Sequence, residues 1–241
     1  MPMKEKTTFY KYKSLQNFEF LLDMILKERL YAAKYNELND PMEGVIKVDN
    51  TVPKNREGEW EEIISDLRIV CFTKDPKNSL MWSHYADGGK GCLVEFELLD
   101  GQEYHKISYL KKPVLNGKDI NISKAFEILK YKDKPWKYEA EYRCIQLKER
   151  FLPVNIKSIT FGPRSNEESV EMLMHILTLC KPNLKVRKMS EIGVFKSAEF
   201  TIGAKKTMVV STSNPKECLT CASVKMIQRD FVGMHRGWKD Y

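Results

Sequence analysis

The stretch "WKYEAEYRC", residues 136 to 144, sets Glu139, Glu141 and Arg143 at alternate positions. Read as a strand, it turns all three charged side chains to one face, because successive strand residues point to opposite sides. At a rise of about 3.3 Å per residue the two carboxylates stand about 7 Å apart. At that spacing each influences the other's proton affinity, while Arg143 favours the charged form of both. Paired carboxylates suit chemistry at the anomeric carbon of a sugar, where one steadies an oxocarbenium-like centre and the other activates or deprotonates the nucleophile. Glycosidases share this requirement with enzymes that cleave the N-glycosidic bond of NAD. The plainer alternative is a solvated strand whose Glu and Arg side chains pair with one another.

Two further blocks carry polar groups at close spacing. "LMWSHYADGGKG" crowds Trp82, His84 and Tyr85 onto a short helix beside a glycine pair. Ring faces next to a titratable imidazole suit a planar ligand, although a Trp and a Tyr three residues apart also serve as ordinary core packing. "NELNDPMEG" offers Asn39, Asp40 and Glu43 in a tight turn, where they hold a ligand hydroxyl or a metal, or else close the turn on its own backbone. Asp40, Glu43 and the two strand glutamates around Mg²⁺ would make a nuclease or phosphodiesterase. No G-x-S-x-G, P-loop, G-x-G-x-x-G, H-E-x-x-H or EF-hand pattern occurs, which removes the main support for serine hydrolases, nucleoside triphosphatases and zincins. Cys218 and Cys221 form a C-x-x-C pair that only a folded-back Cys180 and His235 could complete, so no metal site is expected.

These groups need elements to position them. "FYKYKSL", residues 9 to 15, alternates as a strand, with Phe9, Lys11 and Lys13 on one side and Tyr10 and Tyr12 on the other. With Ser14 as N-cap, Phe18, Leu21, Leu22, Ile25, Leu26 and Leu30 then recur at helical spacing, and a strand follows near Arg29 to Lys34. Residues 47 to 59 read as a polar loop, "EWEEIISDL" as a helix and "RIVCF" as a strand. Ser79 caps the Trp82 helix, and "GCLVEFE" and "YHKISY" are strands. Residues 121 to 131 are expected to be helical, and 139 to 147 and "IKSITFGP" extended. Ser165 and Glu168 open a helix as a capping box, and "LKVRKM" and "AEFTI" close the series. The absence of regular βαβ alternation favours α+β, with mixed, mainly antiparallel sheets and flanking helices. One domain is expected over 1–202, with 203–241 as a C-terminal extension.

In 241 residues, 42% hydrophobic, 30% charged and 11% aromatic composition describes a folding globular chain. Its formal charge of +7 favours a polyanionic partner, RNA or DNA, or a phosphorylated small molecule. Basic clusters such as Lys111-Lys112, Lys185 to Lys188 and Lys205-Lys206 serve a solvated surface equally well. No apolar run approaches the roughly 20 residues of a membrane span, the amino terminus carries no apolar signal core, and the six cysteines are scattered. A reduced, cytoplasmic protein is therefore expected.

Taken in order, "FYKYKSL", "ELNDPMEG", "IVCFTKDPKNSLMWSHYADGGKGCLVEFE", "YLKKP", "KPWKYEAEYRCI" and "IKSITFGP" resemble the bacterial proteins grouped as domain-of-unknown-function family 2971, over roughly residues 8 to 202. More distantly, an early aromatic and basic strand, a helix leading to a short strand and a late strand with E-x-E are similar to the ADP-ribosyltransferase fold, which includes bacterial toxins that modify nucleic acid. That resemblance implies NAD as substrate, Glu141 as catalytic glutamate and Glu139 as its companion acid, with His84 nearby. Lys11 and Tyr12 would lie on the NAD-facing strand, Trp82 and Tyr85 would wall the nicotinamide, Asn39 and Asp40 would line the site, and Arg143 and Lys11 would neutralise the diphosphate. Lys11 stands where that fold's first motif carries His or Arg. The implied setting is a toxin or antiviral defence effector, against which stand a non-enzymatic nucleic-acid-binding or sensor module and a metal-dependent nuclease.

Overall fold

The computed structural model describes residues 7–40, 42–44, 47–49, 56–110, 113–190 and 198–199, all within the compact unit Met1–Thr201. The extension expected at 203–241, with Cys218, Cys221 and His235, lies outside the described residues. In chain order the strands are β1 (Thr8–Lys13), β2 (Arg29–Tyr31), β3 (Lys47–Val48), β4 (Leu67–Thr73), β5 (Cys92–Leu98) and β6 (His105–Lys106), followed by β7 (Val114–Leu115), β8 (Glu141–Leu147), β9 (Phe151–Phe161), β10 (Lys185–Lys188) and β11 (Ala198–Glu199). The helices are α1 (Phe18–Leu26), α2 (Glu57–Ser65), α3 (Ser79–Tyr85), α4 (Ile122–Ile128) and α5 (Glu167–Cys180). The architecture is α+β. The main sheet runs β11-β10-β9-β5-β1-β4-β8-β6 with β2 added on β9, and within it only β10 and β9 are parallel. A separate parallel pair, β3 with β7, occupies part of the stretch read as a polar loop.

Burial explains the helices. Leu21, Leu22 and Ile25 of α1 are buried as their spacing requires, and each such side chain contributes about 1.5–3 kcal/mol by leaving water. Trp60 and Ile64 of α2 pack with Ala125 and Ile128 of α4 against Leu67 and Ile69 of β4. Phe9, Phe72 and Phe96 meet across three adjacent strands, with Phe72 edge-on to both others, at ring centroids of 4.7 and 5.5 Å. The expected caps shift by a residue or more. The Asn78 side chain accepts from the Leu80 and Met81 N–H groups at the start of α3, and Asn166 from Ser169 N–H in α5. Ser14 is not an N-cap; its hydroxyl donates to Asp87 and so ties β1 to the turn after α3. In that turn Gly88 and Gly89 adopt positive φ. Gly91 allows β5 to start against β1, since a Cβ there would lie 2.3 Å from the Lys13 carbonyl oxygen.

The joint between β1 and β4 decides where a site can form. β1 pairs with β5 at every residue from Thr8–Glu97 to Lys13–Cys92, yet meets β4 at the single pair Tyr10–Thr73. β4 pairs with β8 throughout, from Leu67–Leu147 to Thr73–Glu141. The sheet is therefore two well-laddered halves, joined at the Tyr10–Thr73 rung and, just past β2, at an isolated Ala33–Ile69 bridge. Beyond that rung β1 and β4 part, and the Cys71 carbonyl accepts from the Lys11 ammonium at 2.7 Å instead of from a neighbouring strand. No helix among the described residues is long and apolar enough to cross a membrane.

Candidate functional site

The gap between β1 and β4 opens into a cleft of about 430 Å³. β1 supplies one wall through Tyr10, Lys11, Tyr12 and Lys13; β4 and β8 supply Cys71, Glu141 and Arg143; His84 and Tyr85 come from α3. Asn39 and Glu43 reach it from the turn that Asp40 closes by accepting from Met42 N–H, and Lys132 and Glu139 from the segment before β8.

Glu139 is not on the strand, contrary to the alternation of the sequence. It ends a 3-10 segment, Lys134–Glu139, with Pro135 in its first turn, and Ala140 then adopts the left-handed conformation at φ 45° before β8 begins at Glu141. The kink still brings both glutamates to one place. Lys132 Nζ lies 2.6 Å from Glu139 and 3.4 Å from Glu141, so one buried ammonium joins the pair.

Arg143 is fully enclosed, and protein acceptors surround it. Its Nε and Nη2 donate to the two Glu141 oxygens at 2.7 and 3.0 Å, its Nη1 and Nη2 donate to Glu43 at 2.6 and 2.9 Å, and Nη1 also donates to the Leu129 carbonyl at 2.8 Å. These five bonds use the five N–H groups a guanidinium has. Burial alone would raise the Glu141 pKa, but Arg143 and Lys132 outweigh it and hold the carboxyl at about 2. Glu43, in contrast, is raised by burial in spite of the same arginine. Lys132 is raised, because the two glutamates overcome its own desolvation.

Acceptor capacity separates the two acids. A carboxylate offers about four lone-pair sites. Glu141 receives two Arg143 N–H bonds and the Cys71 thiol, with the Lys132 ammonium 3.4 Å away, and is the more fully engaged of the two. Glu139 receives the Tyr85 hydroxyl on one oxygen and Lys132 on the other, leaving sites open toward the cleft. Tyr85 is itself fixed by Asn39, whose side chain hydrogen-bonds the phenol.

The opposite wall is cationic. Desolvation lowers the Lys11 pKa in spite of the nearby Glu141, and its ammonium bonds the Cys71 carbonyl. Lys13 is lowered to about 8 by desolvation and then by Lys11, and among the described residues its ammonium has no ion-pair partner.

Of the residues singled out by sequence, Lys11, Tyr12, Asn39, His84, Tyr85, Glu139, Glu141 and Arg143 all line this cleft. Three expected roles need correction. Trp82 is completely buried, donates its indole N–H to the Pro76 carbonyl and packs edge-on to Tyr12 at 5.3 Å, so it presents no face to a ligand. Asp40 is buried and accepts from Met42 N–H at 2.9 Å, closing the turn rather than lining the cleft. Arg143 has no donor left for a diphosphate. Tyr12 lines the cleft with its ring only, since its hydroxyl donates to the Asp75 carbonyl at 2.9 Å.

Sequence reasoning missed Lys132, Lys13 and Cys71, and assigned Glu43 to a ligand hydroxyl or a metal rather than to Arg143. The one available signal was the lysine-rich run before the E-x-E, because two buried acids require a buried cation. Glu43, Glu139 and Glu141 each face a fixed protein cation, and no group of three His, Cys, Asp or Glu among the described residues is placed to hold a metal. No family model, no curated protein and no solved structure matches this chain.

Proposed function

We propose that this chain is an ADP-ribosyltransferase-like enzyme that cleaves the nicotinamide–ribose bond of NAD and transfers the ADP-ribose to an acceptor. The observation that carries the proposal is the polarity of one cleft: a buried glutamate pair on one wall, with Glu141 held in its charged form, and the half-buried Lys11 and Lys13 on the other. NAD has the matching polarity, a cationic nicotinamide ribosyl end and an anionic diphosphate. The split in the sheet beyond Tyr10–Thr73 and the placement of Glu141 at the start of a strand support an ADP-ribosyltransferase-like fold, and membership of family 2971, from the resemblance of its motif blocks, belongs to the same proposal.

In this reading Glu139 is the working carboxylate. Its open lone pairs accept the ribose hydroxyl and counter the positive charge that grows at the anomeric carbon as nicotinamide leaves with the bonding electrons. Glu141 contributes a negative charge that Arg143 and Lys132 hold in place, and Lys132 also bonds Glu139. Tyr85 orients Glu139, and His84 offers an exposed ring at the rim. The diphosphate falls to Lys11 and Lys13. Incubating the full chain with NAD tests the proposal: nicotinamide release is expected, and its absence both with and without nucleic acid overturns it.

A pH effect follows from Lys13. Folding lowers its pKa from 10.5 to about 8, so the buried ammonium costs stability below about 8, and that cost is gone above 10.5. A bound diphosphate favours the protonated form, so ADP-ribose affinity should fall as pH rises through about 8. Titration calorimetry across that range should show the fall in the natural chain and a flatter profile in Lys13→Met. The same slope in both proteins would remove Lys13 from the anion site.

A further inference from the structure

The run "KYKDKPWKY", residues 130 to 138, interleaves lysine with aromatic residues and ends against Glu139. Its second half is the 3-10 segment that delivers that carboxylate. Trp136 and Tyr138 are half-exposed, with ring centroids 6.2 Å apart and planes tilted by 33°. The exposed His84 of α3 continues the row, 5.8 Å from Tyr138 and tilted by 39°. The Asn78 amide donates to the Tyr138 carbonyl at 2.6 Å and so fastens the segment to the start of α3. Three inclined rings, none edge-on to the next, therefore line up beside the cleft.

Charge accompanies them. Lys134 and Lys137 are exposed, and neither ammonium has an ion-pair partner among the described residues. The one carboxylate within the run, Asp133, accepts from the Tyr131 hydroxyl at 2.7 Å. Continuity with the site is direct, because the Lys132 ammonium lies 4.7 Å from the Trp136 ring centroid while it bonds Glu139 at 2.6 Å.

We propose that the ring row Trp136–Tyr138–His84, flanked by Lys134 and Lys137, is a docking strip for single-stranded nucleic acid, and that the strand it holds is the acceptor. The second half of this statement rests on the NAD reading; the binding does not. Ring faces stack on bases only where those faces are exposed, which a duplex prevents, and free ammonium groups meet the backbone phosphates. An acidic peptide would satisfy the lysines and leave the rings unused.

The test is fluorescence anisotropy of the full chain with short labelled RNA and DNA single strands and the corresponding duplexes, across a salt series. Single strands should bind and duplexes compete poorly. Lys134→Ala with Lys137→Ala, both exposed positions, should reduce the salt slope by about 0.7 for each lysine removed. Trp136→Ala should weaken binding by about fivefold to a hundredfold with little regard to sequence. No binding by the natural chain, equal binding of duplex, or a double-lysine variant with unchanged affinity and slope overturns the strip. Nicotinamide release from NAD, with and without the single strands, is measured on the same proteins. Binding without release rejects the NAD reading and keeps the strip, whereas release with unaltered binding in the variants does the reverse.

Discussion

Arg143→Met should lower the unfolding free energy by about 3–5 kcal/mol, a large part of the stability of a domain this size, read as an earlier midpoint in urea denaturation. Removing the guanidinium leaves Glu43 and Glu141, both buried, facing each other without their shared cation. Arg143→Lys should recover little, because one ammonium cannot satisfy acceptors arranged around a five-donor fork. The deficit should narrow in acid. In the natural chain Glu141 is held at about 2 against an ordinary 4.5, so its contribution is complete above 4.5 and is lost as pH falls toward 2. In the variant these carboxyls take up protons at higher pH and the repulsion disappears. An unchanged midpoint at neutral pH would mean the Glu43–Arg143–Glu141 cluster does not hold the fold.

Glu139→Gln should cut the rate of nicotinamide release by about 10²–10⁴-fold while the fold survives, since an amide keeps the shape but not the charge. The amide oxygen can still accept from Lys132 and the amide NH2 can donate to the Tyr85 hydroxyl, and Lys132 keeps Glu141 as a partner. Glu141→Gln should also impair release, but with a fall in stability, because Arg143 then loses one of its two charged partners. Comparing rate and urea midpoint for both variants separates the roles. Glu139→Gln at the natural rate, with Glu141→Gln inactive and stably folded, would return the catalytic role to Glu141.

The sequence made the elements legible wherever one face had to be apolar. The α1 stripe follows directly from burial, and β1, β4 and β5 form where their apolar residues predict strands, although their burial does not alternate strictly. It misled where backbone geometry overrides a pattern: "WKYEAEY" alternates as a strand would, but Pro135 favours a 3-10 turn and Ala140 takes a left-handed conformation. Trp82 shows the limit of residue type as a guide, since the same ring serves a core or a ligand wall and only the Tyr12 and Pro76 contacts decide. Long-range pairing was invisible. Glu43 and Arg143 are 100 positions apart, and nothing local to either demands the other. Lys11, His84 and Glu141 were recognisable because each lies in a dense polar block, whereas Lys13 and Lys132 sit in runs that solvation explains equally well.

The lone rung Tyr10–Thr73 also has a mechanical side. A sheet yields first along the seam with the fewest rungs, and here that seam runs alongside the cleft. A ligand gripped by β1 lysines at one end and by Glu139 and Glu141 at the other spans the seam as a brace, and its departure leaves the two half-sheets to the hold of Tyr10–Thr73 and the Ala33–Ile69 bridge.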